Sequence, residues 1–154
     1  LREMGRLGIA CDLAHANDRT FWQALERFEG RVCYTHGACY ALSTHARNLT
    51  DEMMKALAER GGVMGICFHR DFVDEKAPSL ARLADHFLHA LEIMGEDGVG
   101  VGTDFDGLAL HKPPVIEDAA GVAKLWEELS RRGVSQAAQE KIGWKNFLRM
   151  MPKG

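Results

Sequence analysis

The sequence predicts an α/β protein in which parallel strands alternate with helices. Apolar runs of strand length recur four times, and the segments between them carry apolar residues at helical spacing. Such strand–helix–strand units make neighbouring strands parallel and are joined by right-handed crossovers. Polar residues follow these strands, and (β/α)8 barrels and open sheets both place their sites at the carboxyl ends of parallel strands. An open sheet usually carries a phosphate-binding glycine loop, which is absent from the sequence.

The first unit is a strand, a helix and a second strand. Two apolar runs, residues 7–15 and 31–36, end at His15 and His36 respectively. The segment between them has its large apolar residues on one helical stripe, which consists of Phe21, Trp22, Leu25 and Phe28. Because parallel neighbours lie about 4.8 Å apart, two imidazoles that leave their carboxyl ends can meet on one metal ion.

Two further units repeat the pattern. Thr50 is predicted to cap a helix that precedes a third strand at residues 63–68. Ser79 is predicted to cap the longest helix, which leads into a fourth strand that ends at Asp104. The apolar faces of these two helices are, in order, Met53, Met54 and Leu57, then Leu80, Leu83, Phe87, Leu91 and Met94.

The chain after the fourth strand is predicted to be mainly helical. Helices are expected over residues 117–131 and 135–151, with a break in the second near Gly143. No linker or low-complexity segment divides the chain, so residues 1–154 are expected to form one domain.

Composition narrows the class of partner. The formal net charge is -3 and no run of Lys or Arg is present, which argues against nucleic acid. The longest apolar stretches are of strand length, so the sequence predicts no membrane span. The four cysteines form no CxxC pair, which favours reduced thiols and a cytoplasmic setting. The expected partner is a small molecule.

Several short segments, in collinear order, resemble the membrane (renal) dipeptidase family. A histidine-containing DLAH segment opens the match, and the next matched histidine, His36, follows it after 21 residues. The matched segments are RLGIACDLAH at 6–15, ARNLTD at 46–51, AERGGV at 58–63, ADHFLH at 84–89, GTDFDG at 102–107 and NFLR at 146–149. The resemblance therefore runs nearly the whole length of the chain, which is more specific than any single short motif.

This resemblance implies the C-terminal half of a (β/α)8 TIM barrel from a zinc-dependent metallopeptidase. The family enzyme hydrolyses dipeptides with a metal-activated hydroxide and holds two zinc ions. By match, His15 and His36 bind metal, Arg47 contacts the substrate, and Asp104 both contacts the substrate and takes part in catalysis. An arginine fork suits a substrate carboxylate, and a carboxylate can pass a proton to a leaving amine.

The family's remaining metal ligands are expected outside this chain. They are an HxD pair and a bridging glutamate of the N-terminal half, where a further substrate-contacting histidine also belongs. Two imidazoles are fewer than the three protein ligands usual for catalytic zinc, so the chain is expected to be inactive alone and to pair with the missing half or with itself. Two alternatives stay open: a non-catalytic half-barrel that serves assembly or binding, and another metal-dependent amidohydrolase.

Other histidines fit structural roles better. His69 and Asp71 spell HxD, but they follow the third strand, where the family has no ligands. His86 and His89 lie one turn apart on the longest helix, away from the strand ends, and are expected to pack or to face solvent.

In a half-barrel, part of the strand face should lack cover. The residues expected to include that inner face are Ile9, Cys11, Val32, Ile66, Val99 and Val101.

Overall fold

Four parallel strands form one sheet in the order β1-β2-β3-β4. The computed structural model describes residues 1–107 and 113–152. The strands are β1 (Cys11–Asp12), β2 (Val32–Gly37), β3 (Val63–Ile66) and β4 (Val99–Val101). The predicted α/β class with parallel strands in sequence order is therefore confirmed.

Helices join the strands and continue after the last one. In chain order they are α1 (Arg2–Arg6), α2 (Asp18–Arg27), α3 (Asp51–Glu59), α4 (Arg70–Val73), α5 (Leu80–Met94), α6 (Val122–Arg131), α7 (Gln136–Glu140) and α8 (Asn146–Met150). A 3-10 turn (Phe105–Gly107) follows β4, and a π-helical segment (Lys141–Lys145) joins α7 to α8. None of the helices within residues 1–107 and 113–152 is long and apolar enough to cross a membrane.

Local capping signals set the starts of the two central helices, as predicted. The side chain of Thr50 accepts a hydrogen bond from the amide of Met53, and that of Ser79 accepts one from the amide of Arg82. Each cap satisfies an amide that the first helical turn leaves without a partner. The apolar faces of α3 and α5 then bury Leu57, Phe87 and their neighbours against the sheet.

Several predicted boundaries differ from the structure; for example, β3 ends at Ile66 rather than at residue 68, and β4 ends at Val101 rather than at Asp104. The first strand is short because Leu7 and Ile9, predicted to lie within it, are about half exposed and form no ladder. The helix expected from residue 117 begins at Val122. The expected break near Gly143 is a π-helical segment that keeps the chain helical.

Two further predictions need correction. Trp22, assigned to the buried stripe of α2, is 37% exposed, whereas Phe21 and Leu25 are buried. The segment after β3, in which the sequence predicts no helix, contains the short helix α4, which buries Phe72 and Val73.

Fewer residues of the strand face are uncovered than the sequence predicts. Ile9 is 48% exposed and Val101 is half-buried. The other members of the set are buried, namely Cys11, Val32, Ile66 and Val99. Part of β4 is covered by the ring of Phe147. This ring packs so closely on Gly100 that a side chain at position 100 would collide with it.

Candidate metal and substrate site

His15 and His36 meet at the carboxyl end of the sheet. His15 follows β1 and His36 lies near the end of β2, and their Nε2 atoms are 3.0 Å apart. The two rings are edge-to-face, with centroids 5.0 Å apart. Both Nε2 atoms therefore point at the same small volume, which neighbouring parallel strands allow because their ends are aligned.

Unusual backbone geometry aims both histidines. His15 has a φ of 67°, in the left-handed region that non-glycine residues rarely occupy. The register of β2 against β3 shifts between Tyr34 and Gly37, and irregularities of this kind re-aim side chains. The carbonyl of Thr35 lies so close to Gly65 and to Gly102 that a Cβ at either position would collide with it.

A chain of hydrogen bonds fixes the ring of His36. Thr35 Oγ1 donates to Asp12 Oδ2 at 2.6 Å and lies 2.9 Å from His36 Nδ1. Because the hydroxyl proton goes to the carboxylate, Thr35 accepts the Nδ1–H of His36, and the lone pair of His36 is left on Nε2. Asp12 also accepts the amides of Ala14 and Thr35, so its carboxylate is held rigidly. A carboxylate-linked partner behind the ring is the usual support of a metal-binding imidazole.

Arg47 contacts both rings. Its Nη1 donates to His15 Nδ1 at 2.9 Å, and its Nη2 lies 3.2 Å from His36 Nε2. The hydroxyl of Tyr34 donates to the Arg47 carbonyl at 2.9 Å, which ties the arginine's loop to β2. The Nε atom of Arg47 is buried without a hydrogen-bond partner in the described structure.

Asn48 anchors the loop that carries Arg47. It is 6% exposed, and its Oδ1 accepts the amide of Ala38. Its Nδ2 donates to the carbonyls of Ser43 and Phe72 at 2.8 and 2.9 Å. A buried amide with these partners makes the loop a defined structure rather than a mobile one.

Asp104 approaches the same edge from β4. Its φ is 55°, so it is the second non-glycine residue at this edge in the left-handed region. Its carboxylate lies over Gly107, where any side chain would collide with it. No hydrogen bond joins this carboxylate to His15, His36 or Arg47 within the described residues, but its charge acts on His36.

Electrostatics favour a neutral His36. Burial lowers the pKa of His36, and the nearby charges of Arg47 and His15 lower it further, while Asp104 and Asp12 oppose them. A neutral imidazole with its lone pair on Nε2 is the form that binds a metal.

These donors fit part of a metal site. Two imidazoles that converge through Nε2 suit zinc, a borderline ion that accepts nitrogen ligands. In the part of the chain that the structure describes, no group of three or more His, Cys, Asp or Glu side chains could hold a metal. Within the described residues, His15 and His36 could therefore supply two ligands but not a complete set.

The other histidines of the motifs have structural partners. His69 is the N-cap of α4, where its Nδ1 accepts the amide of Asp71. His86 is fully buried on α5, and His89 contacts Asp51 at 2.8 Å. Burial also raises the pKa of three thiols to about 12, those of Cys33, Cys39 and Cys67.

Three residues predicted from the sequence contact one another in the structure, but the residues that hold them in place were not predicted. His15, His36 and Arg47 were singled out from the matched motifs, and they are in contact. Asp12 and Thr35 were not singled out, although each lies within three residues of a predicted ligand. Such proximity is the one signal that could have found them.

Comparisons with known proteins agree with the resemblance. The family described as membrane dipeptidase (peptidase family M19) matches residues 1–153. Dipeptidase ataJ of Aspergillus terreus is 37% identical over 94% of this chain, which spans 36% of that protein. An uncharacterised protein in the pqqA 5′ region of Klebsiella pneumoniae is 32% identical over 98% of the chain, which spans 57% of it.

Solved structures show the same relation. A metallopeptidase from Rhodobacter sphaeroides, liganded with a phosphinate mimic of the dipeptide L-Ala-D-Ala, superposes with a TM-score of 0.88 at 28% identity. The alignment covers 97% of this chain and 43% of that one. The chain therefore spans between 36% and 57% of the length of these three proteins.

Proposed function

The chain belongs to the membrane dipeptidase family, peptidase family M19, and on this premise we propose that it supplies two zinc ligands and the substrate anchor of a dipeptidase. The observation that carries the proposal is that His15, His36 and Arg47 contact one another within 3.2 Å at the carboxyl end of the sheet. The proposed reaction is hydrolysis of the peptide bond of dipeptides. A further barrel half, joined to this chain in a complete protein, is needed for activity.

His15 and His36 are the proposed metal ligands, through Nε2 in each case. For His15 this requires the tautomer protonated on Nδ1, and therefore Arg47 Nη1 displaced from that atom. Zinc bound there would lower the pKa of a water molecule and polarise the scissile carbonyl. The Asp12–Thr35 chain holds the ring of His36 in the orientation that keeps Nε2 free of a proton.

Arg47 is the proposed anchor for the carboxylate of the substrate. Its two terminal nitrogens face the site, and a guanidinium can bind a carboxylate through two parallel hydrogen bonds. This favours short peptides with a free C-terminus. The dipeptide mimic bound by the similar Rhodobacter protein supports the same substrate class.

Asp104 is proposed to accept and return a proton at the reacting peptide. Its carboxylate is held over Gly107 rather than in an ion pair with Arg47, so it can act as an acid or base. The leaving amine needs a proton, which a nearby carboxylic acid can donate.

A partner that supplies further strands is proposed to pair with the two open edges of the sheet. β1 and β4 each have one neighbour in the described structure, and free strand edges invite other strands. The first candidate is the remaining half of a family-length barrel, and the second is another copy of this chain. A non-catalytic assembly module would use the same edges without turnover.

Metal counting tests the proposal. The isolated, chelator-stripped chain is expected to bind zinc weakly, because only two ligands are present. The complete protein is expected to hold two zinc ions and to hydrolyse a dipeptide such as L-Ala-D-Ala. Elemental analysis after gel filtration counts the metal, and His15→Ala and His36→Ala should each lower the count in the complete protein.

A partly buried histidine away from the strand ends serves as the control. His89→Ala removes an imidazole from α5 that contacts Asp51, away from the strand ends, and should leave the metal count unchanged. Two tightly held zinc ions in the isolated chain would contradict the half-site. A complete protein that holds zinc but hydrolyses no dipeptide would favour the assembly module.

A further inference from the structure

Phe72 contacts the Arg47 loop through both its ring and its backbone. The ring lies under the guanidinium, with Arg47 Cζ 5.6 Å from the ring centroid. The Phe72 carbonyl accepts the hydrogen bond from Asn48 Nδ2 at 2.9 Å. One residue of α4 therefore holds both the charged end of Arg47 and the loop beside it.

Two histidine rings hold the ring of Phe72 in place. The His69 ring stacks on it, with centroids 4.6 Å apart and planes 20° apart. The His45 ring lies 4.5 Å from it at an angle of 38°. Phe72 is only 7% exposed, so its ring has little freedom to turn away from Arg47.

Hydrogen bonds alone leave part of the guanidinium unsupported. The terminal nitrogens of Arg47 contact the histidine rings, but its Nε is buried without a hydrogen-bond partner in the described structure. The aromatic face below the guanidinium supplies the missing constraint, since a cation within about 6 Å of a ring centroid is attracted to it. It leaves the in-plane N–H groups able to donate to a ligand.

We propose that Phe72 is a positioning residue that presents the guanidinium of Arg47 to the carboxylate of the substrate. The inference rests on the proposed dipeptidase function and adds a residue that none of the matched motifs contains. Phe72 acts through Arg47, so its loss should affect substrates that bear a free carboxylate and spare those that do not.

Kinetics of the complete, zinc-loaded protein test this role. Phe72→Leu should raise the KM for free dipeptides about 3- to 10-fold, leave kcat within about 2-fold, and leave the KM for amidated dipeptides unchanged. Phe72→Tyr retains the aromatic face and should restore the wild-type KM. In an Arg47→Ala background, Phe72→Leu should have no further effect on KM.

Phe87→Leu is the matched control. Phe87 is fully buried on α5, and its replacement by leucine removes the same side-chain volume. The aromatic ring recorded against the Arg47 guanidinium in the described residues is that of Phe72. If Phe72→Leu and Phe87→Leu raise KM equally for free and amidated dipeptides, the effect is structural and the positioning role is wrong.

A second measurement is independent of turnover. In protein labelled with ¹⁵N-arginine, the Arg47 side-chain signal, assigned from its loss in Arg47→Lys, should shift in Phe72→Leu because the ring current is removed. Phe87→Leu should leave the signal in place. An unchanged signal in Phe72→Leu would overturn the proposal even if dipeptides are hydrolysed. If no dipeptide is hydrolysed by the zinc-loaded wild type, the proposed function fails, and the Arg47 signal still decides whether Phe72 positions the guanidinium.

Discussion

Arg47 is the residue through which the site would distinguish a free carboxylate from an amide. Its guanidinium contacts both proposed metal ligands and carries the positive charge closest to them in the described structure. In the complete protein, Arg47→Ala should cost on the order of 1.5 to 3 kcal/mol of binding to a substrate carboxylate. The measurement is kcat/KM for matched free and amidated dipeptides.

The control for this variant is an arginine elsewhere on the surface. Arg131 pairs with Glu128 on α6, and Arg131→Ala should leave both substrates unaffected. If Arg47→Ala reduces kcat/KM equally for free and amidated dipeptides, Arg47 does not bind the carboxylate.

His86 makes the stability of the fold depend on pH. Its Nδ1 accepts the Cys39 amide at 3.0 Å, and its Nε2 donates to the Val73 carbonyl at 2.9 Å. Burial lowers the pKa of His86 from its ordinary value of 6.5, and the charges of Arg82 and His89 add to this, while the Val73 hydrogen bond and Asp85 oppose it. The folded chain therefore holds fewer protons than the unfolded chain between the lowered pKa and 6.5.

Stability from His86 is accordingly complete above pH 6.5 and is lost as the pH falls through the folded pKa. His86→Gln can keep both hydrogen bonds without titrating, so its unfolding free energy should fall less than that of the wild type between pH 7 and pH 5. Urea unfolding at several pH values measures this difference. A His86→Gln curve parallel to the wild type would contradict the assignment.

The proposed ligands were predictable from sequence, but the residues that support them were not. His15 and His36 each end an apolar run, which is a local pattern in the sequence. Because β1 and β2 are parallel neighbours in the sheet, the two side chains lie close together. The ring of Phe72 reaches Arg47 from 25 residues away, through a helix that the polar sequence after β3 does not signal. The left-handed backbone at His15 also depends on tertiary contacts rather than on a glycine at that position.

At the scale of elements, hydrogen bonds to backbone carbonyls at or just before the starts of β3 and β4 hold the C-terminal helix in place. Asn146 begins α8 and is 3% exposed, and its Nδ2 donates to the carbonyls of Glu96 and Val99 at 2.7 Å each. Arg149, one turn later, donates to the carbonyls of Gly61 and Asp97. The π-helical segment before α8 sets the phase at which both side chains face the sheet.

Asn146→Ala should therefore destabilise the complete protein. It leaves two carbonyls without a donor, one of them on β4, and we expect a loss of about 2 to 3 kcal/mol. The midpoint of urea unfolding should fall with an unchanged slope. Lys145→Ala, at the neighbouring exposed position that pairs with Glu140, should change the midpoint little. Equal effects of the two substitutions would mean that Asn146 does not anchor α8.

Element boundaries were predicted best where the signal is local. The caps at Thr50 and Ser79 precede their helices in the sequence and were confirmed. The π-helical segment and the short β1 have no such signal, because contacts with distant residues decide both. Trp22 fits the helical stripe of α2 by spacing alone, but a two-residue β1 at the sheet edge leaves it partly uncovered.

At the scale of the whole molecule, most exposed large apolar residues belong to the segments before β2 and after β4. Of the eight large apolar residues exposed in the described ranges, seven precede β2 or follow β4. They are Leu1, Leu7, Ile9, Trp22, Trp144, Leu148 and Met151. The eighth, Tyr40, lies in the loop after β2. The central helices α3 and α5 contribute none, since they pack on the sheet and on each other.

The isolated 154-residue chain should therefore not persist as a compact monomer. β1 and β4 each have one strand neighbour in the described ranges, and strands at the edge of a sheet tend to pair with other chains. Light scattering coupled to gel filtration, over a dilution series, should show self-association at micromolar concentrations. Ile9→Glu, before β1, and Leu148→Glu, on α8, should each shift the chain toward smaller species, whereas Tyr40→Glu should not. A sharp monomer peak with cooperative unfolding would show that four strands close on themselves, and the pairing of sheet edges would then have to be abandoned.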